Sequence, residues 1–237
     1  AEALAEVAAA VSVVDARQMR AAGGDHIQDL VQAVPNLNWA GGTARPRYFQ
    51  IRGIGERSQY AGEGPPSFSV GFVVDDIELS GLGTGMLFDM QQVEVFKGPQ
   101  SSAFGPNALA GLVHMQSTNP SSVAARQLRL AMGGDGLLRA GAAINVPVNE
   151  GLALRAGYQA GRSNGFRDNI YLGRDDTNGR RESLLRLKAR YARPGGLLLL
   201  GTFFRADADN GYDMWTPDNN KDLVTYADKP GDDHQTT

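Results

Sequence analysis

The 237-residue sequence has no cysteine, and this absence excludes a disulfide framework and a thiolate metal site. Its three histidines, His26, His114 and His234, are scattered and show no metal-ligand spacing. An enzyme would need titratable groups that converge in one pocket, and these histidines and the dispersed carboxylates do not supply such a set. We therefore expect no metal, no cofactor and no catalytic residue.

Long apolar runs and a strong charge imbalance are also missing. No run of about eighteen apolar residues exists, so a membrane-spanning helix is not expected. No signal peptide is visible, and a secreted form would have been trimmed. The formal net charge is -3 without a compact basic patch, which argues against a nucleic-acid partner. Thirty glycines against eleven prolines suit strands and close backbone approaches more than helices.

The clearest pattern lies in residues 93–120, VEVFKGPQSSAFGPNALAGLVHMQSTNP. Apolar and polar residues alternate from Val93 to Phe96 and again from Val113 to Gln116, with three glycine-containing corners between them. We expect a strand, a compact loop and a second strand. A Walker phosphate loop is excluded, because the lysine and hydroxyl residue that it needs do not follow either later glycine.

Upstream, the sequence predicts one short strand and two short helices. The strand covers Val11 to Val14, and Asp15 is placed to cap the first helix. Asp25 is placed to cap the second helix, which Pro35 ends. The apolar residues at helical spacing in that second helix are Ile27, Leu30, Val31 and Val34. Residues 1–10 are alanine-rich and favour helix by propensity alone.

A further strand pattern precedes the central stretch. YFQIRG at Tyr48 to Gly53 alternates as a strand, and residues 54–69, rich in Gly, Ser and Pro, are expected to form a loop. The GLGTG of residues 81–85 resembles part of a dinucleotide-binding fingerprint. Met86 stands where that fingerprint requires its last glycine, so we set this interpretation aside.

After Pro120 the sequence changes to five segments that alternate with period two. One phase of each segment is apolar and the other carries charge. The residues expected on the apolar face are Leu128, Leu130 and Met132, then Leu138, Ala140, Ala142, Ile144 and Val146, then Leu152, Leu154, Ala156 and Tyr158, then Leu185, Leu187, Ala189 and Tyr191, and finally Leu198, Leu200, Phe204 and Ala206.

The connections between these segments alternate in length. Tight turns at 146–151 and 193–196 alternate with long polar loops at 161–182 and from 207 onward. Strands of roughly ten residues joined in this way are typical of an outer-membrane barrel. A soluble antiparallel sandwich shows the same alternation and would leave the arginines in water, so both interpretations stay open on these residues alone.

The central stretch closely resembles the segment IEVLRGPxSxLYGxxAxGGxINIxTKxP, which closes the plug of TonB-dependent outer-membrane receptors. The matching positions are Val93, Glu94, Val95, Lys97, Gly98, Pro99, Ser101 or Ser102, Phe104, Gly105, Ala108, Gly111 and Pro120. The sequence departs from the family at Lys97, where arginine is usual, at Ala110, where glycine is usual, and at 114–116, where the strand is usually more apolar.

Three upstream stretches resemble the same family. DLVQAVPNLNW is similar to its helix and following turn, with Asn36 in place of glycine, and asparagine also tolerates the left-handed conformation. The IRG at residues 51–53 and the strand and turn around Asp75 are similar to two further plug signatures, with Asp76 in place of glycine. In the family, residues 1–10 correspond to an extended lead, so helix and extended chain both remain open there.

The resemblance implies an α+β plug domain with a small mixed sheet in residues 1–120. It implies that residues 121–237 are the first strands, about five, of an antiparallel transmembrane β-barrel. Plugged barrels of this class have about 22 strands. We therefore expect the chain to be a fragment of a longer receptor, with the plug in the barrel lumen and the tight turns facing the periplasm.

The function that the resemblance implies is transport without chemical catalysis. Such a receptor binds a scarce nutrient, such as an iron-siderophore complex, at the bacterial cell surface and imports it to the periplasm. The expected partners are the TonB energy-transducing complex of the inner membrane, the nutrient and outer-membrane lipid. The TonB-contacting box of the family is not recognisable in the sequence. The alternative is a soluble ligand-binding module with an accessory β-sandwich.

The resemblance also implies a latch between plug and barrel, formed by Arg52, Glu94 and Lys97. In the family the two basic residues pair with barrel carboxylates, which here would lie beyond residue 237. Lysine does not form the bidentate pair that arginine forms, so we expect a weaker or water-mediated latch at Lys97. The alternative is that Arg52 and Lys97 are ordinary solvated charges.

Two more groups of residues follow from the resemblance. The plug-motif residues are Gly53, Asp75, Gly98, Pro99, Ser101, Gly105 and Gly111. The residues expected to face the ligand are Trp39, Ser58, Gln59, Tyr60, Gly81, Gly83 and Gly85. Trp39 and Tyr60 are equally well interpreted as packing residues.

Overall fold

The computed structural model describes residues 10–24, 26–31, 33–40, 48–56, 68–82, 85–101, 105–212, 222–228 and 231–237. The chain divides into two compact units, which we call the N-terminal unit (1–41 and 45–118) and the C-terminal unit (42–44 and 119–237). No helix within the described ranges is long and apolar enough to cross a membrane.

The N-terminal unit is built on a five-stranded mixed sheet. The described strands of the whole unit are β1 (Val11–Asp15), β2 (Leu37–Ala40), β3 (Tyr48–Ile51), β4 (Val70–Val74), β5 (Ile77–Glu78), β6 (Met90–Phe96) and β7 (Gly111–Ser117). The sheet order is β1-β6-β7-β4-β5, while β2 and β3 form a separate antiparallel pair. Only the β4 to β7 pairing within this sheet is parallel. The expected α+β unit with a small mixed sheet is confirmed.

Strand β7 lies inside the sheet and forms the centre of the core. Leu112, Val113 and Met115 are completely buried, so consecutive residues of this strand are covered on both faces. A strand buried on both sides needs apolar residues in both phases, which explains the apolar run at its start. Phe49 and Phe72 stack nearby with ring centroids 5.3 Å apart. Burial of each such large side chain stabilises the fold by about 1.5–3 kcal/mol.

The first helix, α1 (Ala16–Ala21), begins with a complete capping box. The Asp15 carboxylate accepts hydrogen bonds from the backbone N–H groups of Arg17 (2.7 Å) and Gln18 (2.8 Å), and the Gln18 side chain accepts one from the Asp15 N–H. These backbone hydrogen bonds, that of Gln18 foremost, lower the pKa of Asp15. The predicted cap is confirmed, because capping depends only on residues close in sequence.

The second helix is α2 (Ile27–Val31), shorter than the apolar pattern suggested. The predicted cap, Asp25, lies outside the described residues. The backbone N–H of His26 donates to the Asp29 carboxylate at 3.0 Å, which stabilises the start of the helix. Asn36 follows with a φ of 63°, the left-handed conformation expected where the family carries glycine.

The C-terminal unit is built on an antiparallel sheet of six strands. They are β8 (Ala125–Met132), β9 (Leu138–Pro147), β10 (Leu152–Ser163), β13 (Arg180–Arg193), β14 (Leu197–Tyr212) and β16 (Gly231–Thr236), in the order β16-β14-β13-β10-β9-β8. A smaller sheet contains β11 (Arg167–Asn169), β12 (Arg174–Thr177) and β15 (Val224–Thr225). All five predicted segments are strands, and the sheet is open at β8 and β16 within the described part of the chain.

The predicted long loop at 161–182 is wrong in its bounds and in its character. Strand β10 continues to Ser163 and β13 begins at Arg180, and the 16 residues between them contain β11 and β12. The predicted loop from 207 onward likewise begins as strand, because Asp207 to Tyr212 pair with β16. Polar residues extend a strand when a neighbouring strand pairs with their backbone groups, and the side-chain pattern does not reveal such a neighbour.

Strand register defines two faces of the six-stranded sheet. Residues directly opposite each other share a face, so Tyr158, Ala142 and Leu185 lie on one side, which we call the apolar face. Arg186 and Lys188 lie on the other side, which we call the polar face. On the apolar face Leu128 and Met132 are 75% and 84% exposed, whereas Arg186 and Lys188 are only 5% and 4% exposed. The predicted apolar phase is confirmed for the first four strands.

The predicted phase of the fifth strand, β14, is wrong. Leu198, Leu200, Phe204 and Ala206 were expected on the apolar face. Phe204 pairs with Arg186 and Leu200 with Arg190, which places this set on the polar face. The apolar face instead carries Leu199 and Phe203, opposite Tyr191 and Leu187. Four consecutive leucines at 197–200 have no phase of their own, so only the pairing with β13 decides which of them face outward.

Candidate functional site

The turn between β4 and β5 is tied to the end of β7. Asp75 and Asp76 have φ values of 49° and 65°, so both central residues are left-handed, as in a type I′ hairpin turn. The Asp75 carboxylate accepts hydrogen bonds from the backbone N–H (2.8 Å) and the hydroxyl (2.5 Å) of Ser117. Ser117 is almost completely buried. Asp75 therefore joins two parts of the sheet that lie 42 residues apart.

The segment between β6 and β7 is held at both ends by backbone hydrogen bonds. Lys97 N–H donates to the Ala10 carbonyl at 2.8 Å, which anchors the start of the segment beside β1. Gln100 N–H donates to the Ala108 carbonyl at 2.8 Å and closes the loop. The Ser101 carbonyl accepts a hydrogen bond from Gly105 N–H at 3.1 Å. Ser101 is exposed. Backbone hydrogen bonds thus hold the two described ends of this segment.

Gly111 is required by close packing at the start of β7. A Cβ atom at this position would lie 2.4 Å from the Phe96 carbonyl oxygen and 2.5 Å from Cδ1 of Ile51. Both distances are far below normal contact, and one of the neighbours is backbone. Gly105 needs glycine for another reason, since its φ is 86°.

Glu94 is held within the N-terminal unit by two side chains. It lies directly opposite His114 on β7, and its Oε2 is 3.0 Å from Nδ1 of that histidine. Its Oε1 accepts a hydrogen bond from the Gln92 amide at 2.8 Å. The carboxylate of Asp76 lies 3.6 Å from Nε2 of His114, so the buried imidazole stands between two carboxylates. This cluster joins the hairpin turn to β6.

Arg52 lies in the turn that follows β3. Its φ is 55° and its N–H donates to the Asn36 carbonyl at 3.0 Å. The predicted strand at Tyr48 to Gly53 therefore ends at Ile51, and β3 is buried throughout rather than alternating. Arg52 and Gly53 are both exposed.

Sequence patterns did not indicate one polar contact of this unit. The Glu56 carboxylate accepts hydrogen bonds from the backbone N–H (2.9 Å) and the hydroxyl (2.6 Å) of Ser69. The backbone carbonyl of Glu56 accepts a further hydrogen bond from the Gln50 side chain. Glutamate and serine thirteen residues apart form no motif, so no sequence signal marked this contact. Within the part of the chain that the structure describes, no group of three histidine or carboxylate side chains is arranged to hold a metal.

Comparison with known protein families identifies the domain that contains these contacts. Residues 3–112 match the family model described as TonB-dependent Receptor Plug Domain. Residues 3–112 belong to the plug-domain family of TonB-dependent receptors.

The relatives found for this chain are much longer than the chain itself. The vitamin B12 transporter BtuB of Vibrio vulnificus is 26% identical over 140 residues, which are 56% of this chain and 21% of the relative. The ferric yersiniabactin uptake receptor FyuA of Yersinia pestis superposes with a TM-score of 0.71 at 23% identity, covering 86% of this chain and 32% of that chain. The chain therefore spans about a third of these relatives or less.

A third match is an outer membrane receptor of known structure. The pyoverdine outer membrane receptor FpvA of Pseudomonas aeruginosa superposes with a TM-score of 0.70 at 17% identity, covering 86% of this chain and 28% of that chain. At these identities the structural likeness shows the fold, which is a plug followed by part of an antiparallel barrel. FpvA is described as an outer membrane receptor, which is the location that the sequence predicts for this chain.

Packing contacts involve several of the plug residues that were predicted to face the ligand. Gly81 faces the Phe68 ring, which a Cβ would approach to 2.4 Å, and Gly85 faces the His26 ring, which a Cβ would overlap. Trp39 is half-buried in β2 opposite Phe49. The other candidates for ligand contact, namely Ser58, Gln59, Tyr60 and Gly83, lie outside the described residues. Ligand contact remains a prediction for this group, as does the latch role of Arg52, Glu94 and Lys97.

The Asp75 contacts lead to a stability prediction for the plug. Replacing Asp75 with alanine removes two hydrogen bonds to Ser117, so we expect a loss of about 1–3 kcal/mol. Hydrogen exchange of the β7 amides in the full-length receptor measures this loss as faster exchange. Asp75→Asn is the matched control, because asparagine tolerates the left-handed backbone and keeps one acceptor oxygen. Unchanged exchange in Asp75→Ala would show that the carboxylate does not stabilise the plug.

Proposed function

We propose that the full-length protein is an active transporter of the outer membrane. It binds a scarce nutrient at the cell surface and passes it to the periplasm with energy delivered by TonB. The match of residues 3–112 to the plug-domain family carries this proposal. The sheet that follows the plug in the chain also supports the proposal. It is open at both edges and has an exposed apolar face, as a barrel wall needs.

Burial on the two faces of the sheet favours the membrane over a soluble module. A soluble β-sandwich buries its apolar face and leaves its charges in water. Here Leu128 and Leu130 are 75% and 69% exposed, while Arg186 and Lys188 on the polar face are nearly buried. Apolar side chains outward and polar side chains inward is the arrangement of an outer-membrane barrel wall. Lipid is the environment that makes this exposed apolar face stable.

The lengths of the connections support an orientation in the membrane. Residues 148–151 and 194–196 are tight turns at one end of the sheet. At the other end lie the 16 residues 164–179, together with the short connection 133–137. Outer-membrane barrels place short turns in the periplasm and long loops outside the cell. We therefore assign the end that carries 164–179 to the cell exterior.

The open edges of the sheet require further strands in the membrane. Strands β8 and β16 each have one neighbour among the described strands. Unpaired backbone groups in hydrocarbon cost several kcal/mol each, so a stable receptor pairs both edges. We propose that strands of the full-length protein close the barrel around the plug, as the family resemblance implies.

The cargo proposed for this chain is a metal chelate or a compound of similar size. Relatives are described as receptors for vitamin B12, ferric yersiniabactin and pyoverdine. Ligand contact is proposed for the plug positions Trp39, Ser58 to Tyr60, Gly81, Gly83 and Gly85. Selecting among these cargoes depends on loops that the plug motif does not specify.

Uptake by whole cells tests the proposal. Cells that express the full-length protein in place of their own receptors are given radiolabelled ferric siderophores and cyanocobalamin. We expect one of these compounds to accumulate, and we expect deletion of tonB or addition of a protonophore to abolish accumulation while surface binding persists. Accumulation that continues without TonB, or no accumulation of any compound, would contradict active transport.

The membrane orientation of β14 is tested by two adjacent leucines. Leu199 lies on the apolar face and Leu198 on the polar face, and their exposures are 55% and 59%. Leu199→Arg places a charge in lipid near the turn end of β14, which destabilises a barrel by up to about 1 kcal/mol. Leu198→Arg is the matched control and is expected to cost less. Guanidinium unfolding of the full-length receptor in vesicles measures both, and a larger loss in Leu198→Arg would refute the assignment of faces.

The latch is proposed to use Arg52 and Lys97 against barrel carboxylates beyond residue 237. Glu94 contacts His114 and Gln92 within the plug, so its proposed part in the latch is to hold these plug side chains in place. Because lysine makes single rather than bidentate contacts, the Lys97 side of the latch is the weaker one. We expect Lys97→Arg to slow uptake by strengthening that side, and Lys97→Gln is the control that removes the charge. A full-length structure in which Lys97 points away from every barrel carboxylate would overturn this role.

A further inference from the structure

A histidine side chain lies in the middle of the plug sheet. His114 is on β7, which is buried along almost its whole length, and is itself only 5% exposed. Its partners on the neighbouring strands are Glu94 on β6 and Val73 on β4, so the three side chains share one face of the sheet. Histidine is the side chain that changes charge between about pH 5 and pH 8. Its position allows pH to change the contacts between strands.

The two ring nitrogens of His114 face carboxylates from different parts of the unit. Nδ1 lies 3.0 Å from Oε2 of Glu94, which is a hydrogen-bond distance. Nε2 lies 3.6 Å from Oδ1 of Asp76 in the turn between β4 and β5, which is an ion-pair distance. The Glu94 side chain is 21% exposed, whereas that of Asp76 is 88% exposed. The contact with Glu94 is therefore the shielded one, and Asp76 can move away into water.

The charge of the ring decides whether it attracts Asp76. A carboxylate only accepts hydrogen bonds, so Nδ1 carries the proton that faces Glu94. In the neutral ring Nε2 then has a lone pair, which the Asp76 carboxylate repels. In the charged ring both nitrogens carry a proton, so Asp76 is attracted as well. Glu94 is thus contacted in both states of the ring, and only the charged state holds Asp76.

The surrounding charges do not mask this effect. On β5, Glu78 lies opposite Val73 and continues the same row of side chains, where it adds a further carboxylate. On β1, Val13 lies opposite Glu94 and is uncharged. Among the described residues, no lysine or arginine forms an ion pair with Glu94, Asp76 or Glu78. Loss of the ring's charge is therefore not compensated by a fixed positive charge in the described part of this sheet.

The turn that carries Asp76 lies at an edge of the sheet. Strand β5 after the turn has only two residues and pairs with β4 alone among the described strands. Asp75 is bound to Ser117, and its N–H donates to the Met115 carbonyl at 3.0 Å. Parts of a structure with few contacts open first, so a short edge hairpin is sensitive to one added contact. The interaction of Asp76 with the ring therefore influences how easily this edge opens.

We propose that Asp76, Glu94 and His114 form a proton-linked contact, which we call the His114 clasp. The charged ring ties the turn to β6, and the neutral ring releases the turn. The contribution to stability is present where the ring is charged and is lost as the pH rises and the ring loses its proton. In transport, the clasp makes the plug harder to remodel in acidic surroundings. The clasp goes beyond the proposed function, and only this consequence rests on it.

Hydrogen exchange of the full-length receptor in detergent tests the clasp. The reporters are the amides of Asp75 and Leu79, which donate to the carbonyls of Met115 (3.0 Å) and Phe72 (2.8 Å). Exchange is corrected for the intrinsic rate at each pH. We expect about twofold to fivefold higher protection at about pH 5.5 than at about pH 7.5, as for one solvent-exposed ion pair. Equal protection at the two pH values would overturn the proposal.

Two variants and a matched control assign the pH dependence to the clasp. In His114→Asn the amide can donate to Glu94 from the position of Nδ1 but gains no charge, so the pH dependence should disappear. Asp76→Asn tolerates the left-handed backbone and removes the carboxylate, so it should lose the pH dependence as well. His234→Gln is the control, because His234 lies in the other unit and is 73% exposed. A pH dependence retained in His114→Asn or lost in His234→Gln would contradict the assignment.

A measurement on the wild-type receptor covers the case in which His114→Asn folds poorly. In receptor labelled with ¹³C at the histidine Cε1 atoms, the His114 resonance should change over the same pH range as the protection of the Asp75 and Leu79 amides. A His114 resonance that changes in a different pH range would refute the clasp.

Uptake tests the consequence for transport separately. The uptake rate of Asp76→Asn is divided by that of the wild type at each pH, so that effects of pH on the energy supply cancel. We expect this ratio to rise as the pH falls, because only the wild type is held by the clasp. A constant ratio would overturn the consequence for transport. Absence of any uptake would contradict the proposed function and would leave the exchange measurement valid.

Discussion

Strand register is the constraint on which the rest of this structure depends. A shift of one residue moves every side chain of a strand to the opposite face. In the plug, the pairing of β6 with β7 places Glu94 opposite His114, and the position of β7 beside β4 brings Ser117 to Asp75. In the barrel sheet the same constraint separates an apolar face from a polar one. The candidate sites of both units thus follow from how strands pair.

The plug is held by a small number of specific polar contacts around an apolar core. The Asp75 carboxylate accepts two hydrogen bonds from Ser117 of β7. The Glu94 carboxylate contacts His114 of β7 and Gln92 of its own strand. Backbone hydrogen bonds hold the described ends of the segment before β7. These polar contacts fix the positions of the turn and loops around the apolar core. A domain proposed to be remodelled during transport needs this property, because a few hydrogen bonds can be exchanged while the core strands stay paired.

Left-handed backbone positions explain why this sequence departs from the family pattern without losing its fold. Asn36 and Asp76 replace glycines of the pattern and have φ values of 63° and 65°. Asparagine and aspartate enter this conformation more readily than other side chains, because their short polar groups bond to the local backbone. Gly111 has no such substitute, since the carbonyl of Phe96 occupies the space that a Cβ would need.

The sequence by itself determined the features that depend on neighbouring residues: the capping box at Asp15, the turn at Asp75 and Asp76, the strands on both sides of Gly98 to Gly111, and the plug motif. Only the tertiary structure decided the face of each leucine in 197–200, the extra strands within 164–179, and the contacts of Glu94 with His114 and of Glu56 with Ser69. The physical reason is the distance along the sequence between the groups that interact. Caps and turns are formed by groups a few residues apart, whereas a face, an added strand or a distant hydrogen bond exists only after another segment has paired in one register.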